Sequence, residues 1–205
     1  MSIASYSELK TAVANWLNRS DLTSYVPDII TFGEKRIYRD LRIRAMETAL
    51  SSAISSGVVA LPSDYVELKF AYVNGSPTRI LKRRQPDFIY EKYPTRSADA
   101  KPNFIAREAS NFIFGPYPDS GYTIKGVYYK RLDPLSDSNT TNWFTANAPD
   151  LLLYASLVEA EPFLKNDSRI ATWESFYQRV KNQVQDEDMR ENHSGSAPTA
   201  TVSWA

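Results

Sequence analysis

Between Asn147 and Val184 the chain carries more apolar surface than one helical hairpin can bury within itself. Leu151, Leu152, Leu153, Tyr154, Leu157 and Val158 cover most of a first helix, and Trp173, Tyr177, Val180 and Val184 recur at helical spacing on a second. An Asn166-Asp167-Ser168 turn joins them, Asn147 is the expected cap with Pro149 in the first turn, and Pro162 is expected to kink the first helix. Such a pair demands a partner, and a second helical pair stands at the other end of the chain. There Ser5 and Glu8 have capping-box spacing, and Leu9, Val13, Trp16 and Leu17 follow at helical period. After a turn at Ser20-Asp21, Pro27 opens a helix with the stripe Val26, Ile30, Gly33, Ile37 and Leu41. Arg36, Arg39, Arg42 and Arg44 crowd its C-terminal half, where cations suit the helix dipole. The simplest partners across the two pairs are Trp16 and Ile37 on one side and Trp173 and Tyr177 on the other.

From Met46 the period changes to two. Val66, Leu68, Phe70 and Tyr72 alternate with Glu67, Lys69, Ala71 and Val73, and Asn74-Gly75 predicts a hairpin with a return strand through Ile80 and Leu81. A helical turn is expected after Pro86, two strands around Ala109-Ser110, and another strand through Tyr122, Ile124, Gly126 and Tyr128; residues 133–149 read as a polar loop. The chain is therefore read as α+β. Helix pairs at 1–45 and 147–188 form a helical bundle, an antiparallel β-rich block is inserted at 46–146, and an extended C-terminal tail occupies 189–205.

A chain of 205 residues buries roughly 70% of its unfolded surface and needs no metal or disulfide staple. It has no cysteine, which excludes thiolate metal sites and cysteine nucleophiles. Lys plus Arg and Asp plus Glu are equal at 24 each, so no global field draws it to nucleic acid or membrane. No apolar run approaches the ~20 residues of a membrane span, and MSIASYSELK lacks the basic and apolar regions of a secretory signal.

The residues that could carry chemistry are sparse. His193 is the sole histidine and falls in the small, polar C-terminal stretch, where a general base lacks fixed geometry. Asp137 to Thr141 has the alternating oxygens of a calcium loop, but Asn142 and Ala148 stand where that loop needs Gly and Glu. Asp186, Glu187 and Asp188 read as a solvated acidic helix end. No catalytic, metal or cofactor residue is assigned. Arg79, Lys82, Arg83 and Arg84, with Tyr90 and Tyr93 near, form the densest basic cluster. Basic side chains beside aromatics suit single-stranded nucleic acid, so a nucleic-acid-binding accessory protein is the alternative reading; a solvated strand end is the plainer account of four charges on a neutral chain. In the tail, Trp204 follows Thr201-Val202-Ser203. Ordering about ten residues costs on the order of 10–20 kcal/mol, and burying one Trp returns roughly 4–6 kcal/mol. Docking of the tail therefore needs strand addition or a groove on a partner.

Several stretches resemble the head-to-tail adaptor proteins of short-tailed bacteriophages. They are Trp16-Leu17-Asn18-Arg19-Ser20-Asp21-Leu22, Glu34-Lys35-Arg36-Ile37 with Arg39-Asp40-Leu41-Arg42, and Leu61-Pro62-Ser63-Asp64-Tyr65 with Glu67-Leu68. Further on come Gly115-Pro116-Tyr117-Pro118-Asp119, Asn142-Trp143, Ala148-Pro149-Asp150-Leu151 and Glu159-Ala160-Glu161-Pro162-Phe163-Leu164-Lys165. The resemblance runs from Tyr6 to about Arg179 and implies a non-enzymatic structural virion protein, assembled in the host bacterial cytoplasm. It implies a dodecameric ring between the portal and the tail nozzle or tube, with packaged double-stranded DNA passing through its channel without sequence specificity. It brings no catalytic residue, cofactor or membrane. On this reading Val202 and Trp204 dock on the portal, and Arg79, Lys82, Arg83 and Arg84 face a neighbouring subunit or the channel.

Overall fold

The computed structural model describes residues 3–164 and 168–193. Helix α1 (Tyr6–Leu17) begins at Ser5, whose hydroxyl accepts the Glu8 N–H at 3.3 Å. The reciprocal half of the cap is displaced by one residue: Glu8 accepts the Ala4 N–H at 2.6 Å. Leu9, Val13 and Leu17 are buried, while Trp16 is 38% exposed and stands edge-on to Tyr154. Trp16 therefore leaves the expected core stripe. A 3₁₀ turn (Ser20–Tyr25) leads to α2 (Val26–Asp40), with Pro27 in its first turn and the whole stripe from Val26 to Leu41 buried. Arg42 Nη1 donates to the Tyr38 and Leu41 carbonyls at 2.6 and 2.7 Å, satisfying acceptors that the helix end leaves open.

Residues Met46–Arg131 form a unit of their own. Its elements are β1 (Glu47–Ala53), β2 (Val58–Ala60), β3 (Tyr65–Val73), β4 (Arg79–Ile80), β5 (Lys82–Arg83), α3 (Pro86–Lys92), β6 (Phe104–Glu108), β7 (Asn111–Gly115) and β8 (Thr123–Lys130). They make two four-stranded sheets, ordered β1-β8-β3-β4 and β2-β7-β6-β5. Every pairing is antiparallel except β5 with β6, which the expected all-antiparallel block did not include. The sheets share a core of Leu50, Leu68, Val73, Ile105, Phe114 and Ile124, and α3 covers the other side of β6 and β7 through Ile89. The main partner of β3 is β8, paired along its length; the return strand meets β3 at Tyr72 and Val73 alone. Asn74 is not among the positive-φ residues, so the connection to β4 is a longer loop than the expected two-residue turn.

The polar segment after β8 belongs with the helices: the helical unit resumes at Leu132, so the β unit is shorter than the expected 46–146. Buried Glu34 anchors this segment. Its carboxylate accepts the Leu135 N–H at 3.2 Å and the Asn142 amide at 3.1 Å, while Tyr6 N–H donates to Thr140 O at 2.7 Å. An additional helix, α4 (Trp143–Asn147), forms in place of polar loop, closed by a reciprocal cap between Asn142 and Thr145 and pinned by buried Phe144. Helix α5 (Pro149–Glu159) is then capped from Ala148 rather than Asn147, whose side chain donates to Trp143 O at 2.9 Å. The expected kink is a break: α5 stops, and α6 (Glu161–Leu164) starts afresh with Pro162 in its first turn, where a missing N–H costs nothing. Helix α7 (Arg169–His193) runs on through Met189 and Glu191, into residues expected to be extended. Asn166 and Asp167 of the expected turn, and Val202 and Trp204 of the tail, lie outside the described residues.

Within the helical unit α5 packs against α1, α2 and α7. The α2–α5 approach is close because Gly33 has no side chain: a Cβ there would stand 2.8 Å from Ser156 N and Oγ. Arg36 binds three helices at once. It donates to Glu159 on α5 at 3.2 Å and to Glu174 on α7 at 2.8 Å, and lies over the Tyr177 ring at 4.8 Å. Tyr177 is buried and donates to Asp40 at 2.7 Å; burial, then that carboxylate, pushes its phenol well above the ordinary range. Helix and sheet thus segregate along the chain, an α+β arrangement.

Candidate interaction surface

Two features of the β unit set the site. Leu81, buried, crosses from one sheet to the other between β4 and β5, its N–H donating to Ala71 O at 2.9 Å. That crossing pulls the basic run apart. Arg79 stays on the first sheet and donates to Lys101 O at 3.0 Å; Lys82 and Arg83 pair with Phe104 and Ile105 on the second. The second feature is the open edge of β3, whose Leu68 carbonyl accepts Arg83 Nη1 at 2.6 Å. Between them lies a cleft of about 510 Å³, lined by Arg83, Arg84 and Arg107 with Gln85, Tyr65 and Phe112. Leu68, Ile105 and Ala106 complete the lining.

Of the four expected basic residues, the structure brings Arg83 and Arg84 to the cleft and leaves Arg79 and Lys82 outside its lining. Arg107 is the one sequence reasoning missed. The parallel register Arg83 to Ile105 brings it there, and no local pattern announces a two-residue parallel pairing. Arg84 lies over the rings of Phe88 and Phe104, at 5.4 and 5.8 Å, and Arg107 over Tyr65 at 5.5 Å. Burial, ahead of its opposing neighbours, raises the Tyr65 phenol above its ordinary range. Arg83 has Glu67 at 3.9 Å, with both side chains about half exposed. No carboxylate lies within ion-pair distance of Arg84 or Arg107 among the described residues. Tyr90 is engaged elsewhere: it donates to Glu108 at 2.9 Å and lies under Arg96, so it does not interleave with the cleft arginines.

The helical unit has its own surface features. Trp16, Tyr154 and Phe176 form a chain of ring contacts at 5.9 and 5.3 Å, ending under Arg179, and Tyr25 packs on Phe163 at 5.2 Å. At the end of α7, Asp188 accepts the Arg44 N–H at 2.7 Å and Glu191 pairs with the Arg44 guanidinium at 3.3 Å. Asp186 and Glu187 are exposed there beside Met189. The described residues contain no group of carboxylates and histidine able to hold a metal, and no helix among them is long and apolar enough to cross a membrane. Asp137, in the segment with calcium-loop spacing, faces Lys10 at 2.7 Å.

Compared with known proteins, residues 4–201 match the family model described as SU10 adaptor protein. No curated protein matches the chain.

Proposed function

The chain belongs to the SU10 adaptor protein family, and from that premise we propose that it is a head-to-tail adaptor, a structural component of a phage virion that joins portal to tail. The family match, spanning nearly the whole chain, is the observation that carries this reading. In the fuller form of the proposal, copies assemble as a dodecameric ring between the portal and the tail nozzle or tube, in the host bacterial cytoplasm. Packaged double-stranded DNA passes through the channel without sequence specificity. The N- and C-terminal helices make a bundle in each subunit, and residues 46–131 are its inserted β unit.

A ring requires two different patches on each subunit. Support comes from large apolar side chains left at the surface: Trp16, Tyr25 and Phe32 on the helical unit, Phe70 and Ile80 on the β unit. Such residues are enriched where proteins meet. Val202 and Trp204 remain the proposed portal anchors, and Arg79, Lys82, Arg83 and Arg84 are proposed to face a neighbour or the channel. The alternative, a nucleic-acid accessory protein using these arginines, gains a cleft but not the broad basic face such binding uses, since the chain is neutral. Removal of residues 194–205, beyond the end of α7, is expected to abolish retention on immobilised portal and leave the melting transition in place. Undiminished retention of the shortened chain refutes the tail assignment.

A further inference from the structure

We propose that the arginine cleft of the β unit receives the acidic end of α7 from a neighbouring copy of the chain, making one half of a head-to-tail contact. The inference rests on the ring reading above and names the surfaces that would form it. Three arginines, Arg83, Arg84 and Arg107, line the cleft together with the apolar Leu68, Ile105 and Phe112. Arg84 and Arg107 are spread over aromatic rings, which holds their planes in place without neutralising them. Glu108, the nearest carboxylate on β6, is taken by the Tyr90 hydroxyl.

The complementary surface is on the other unit. Asp186 and Glu187 are exposed, and among the described residues no hydrogen bond or ion pair reaches either side-chain carboxylate. Met189, 59% exposed, follows Asp186 by three positions and so shares its side of the helix. A turn with two exposed carboxylates and one flexible apolar side chain, Arg190 beside them, matches a cleft lined by arginines and apolar side chains. The charge balance points the same way. Positive and negative side chains cancel over the chain, yet among the described residues Arg84 and Arg107 on one unit and Asp186 and Glu187 on the other have no ion-pair partner. Joining unlike patches on successive copies is the heterologous contact that closes a ring. Three arginines with Glu67 beside one of them make a poor track for a phosphate backbone.

The absence of native cysteine allows a clean test with the full chain. One preparation carries Gln85→Cys at the cleft, the other Arg190→Cys at the acidic turn. Mixed under mild oxidation, they are expected to give the mixed disulfide in clear excess over either self-disulfide. Adding Arg83→Glu and Arg84→Glu to the first chain should lower the yield roughly tenfold or more. Adding Asp186→Arg and Glu187→Arg to the second as well should restore it. The α7 reversal lies on a solvent-exposed turn, so it gives the same loss when used alone even if the arginine variants fail to fold. No mixed disulfide, or a yield indifferent to both reversals, overturns the proposal. So does an arginine variant that keeps the disulfide but loses salt-sensitive binding to a double-stranded oligonucleotide, which assigns the cleft to DNA. Sizing on portal separates this contact from the ring: a charge-reversed chain that still builds the full ring removes the contact alone, whereas an unaltered chain that builds none removes the ring reading.

Discussion

A bulge between Leu68 and Phe70 decides which side chains of β3 reach the core. Strict alternation places Val66, Leu68, Phe70 and Tyr72 on one face, but the pairing with β8 shifts after Leu68. Leu68, Ala71 and Val73 are buried, and Phe70 is 46% exposed. The bulge is seated on Gly126, where any Cβ would run into the Phe70 carbonyl. Leu68→Ala should therefore cost about 2–5 kcal/mol, and Phe70→Thr about 0.5 kcal/mol or less, measured by urea unfolding. Equal losses at the two positions would contradict the register. Sequence alternation revealed a strand here and could not reveal the slip, because a bulge depends on the partner strand. Likewise Trp16 keeps helical spacing with Leu9 and Val13 yet packs at the surface on Tyr154. Spacing fixes a direction on the helix, not the depth at which the side chain ends.

The element with the most consequence outside the regular helices and strands is the segment from Leu132 to Asn142, held to α2 by Glu34. Burial pushes the Glu34 carboxyl up from 4.5 to about 7, against the opposing pull of the Leu135 N–H and the Asn142 amide. Tyr6 and Tyr38, whose phenols burial also raises, are its neighbours, with Asp28, Asp133 and Asp137 and the cation Lys10 nearby. A carboxyl with a raised folded value favours the fold while protonated. Its contribution is complete below pH 4.5 and is lost as the pH rises through about 7. The full change is on the order of 3 kcal/mol. Glu34→Gln keeps an acceptor for Leu135 and cannot ionise, so the variant should flatten stability across that interval relative to the parent chain. Parallel pH profiles for the two proteins would exclude this role. A glutamate at this place on an amphipathic helix reads as surface from the sequence; only the returning segment buries it. The same segment hid α4, although Asn142 and Thr145 carried its capping signal at the right spacing. By contrast, the long helical stripes of α2, α5 and α7 and the turn at Ala109 were legible, because each depends on local pattern.

At the scale of the molecule, the β unit is an insertion whose two ends meet: Glu47 pairs with Tyr129, so Met46 and Arg131 leave side by side. The helical unit is thereby assembled from both chain ends. This division was visible as a change of hydrophobic period near Met46, but its far boundary was not, since a polar segment carries no period and is assigned by its anchor, Glu34. The arginine cleft shows the same limit. Two of its three arginines stood in a dense cluster, and the third came from a strand distant in sequence. Function was legible through the adaptor resemblance rather than through any chemical motif, and the family match now carries it. The claim that matters most is assembly on a portal. The mass of the complex formed when the full chain is mixed with its purified portal, read by native mass spectrometry, tests it most directly. A single complex with one adaptor copy for each portal subunit is the predicted result; a portal mass unchanged by the adaptor, or a scatter of partial occupancies with no closed ring, would contradict it.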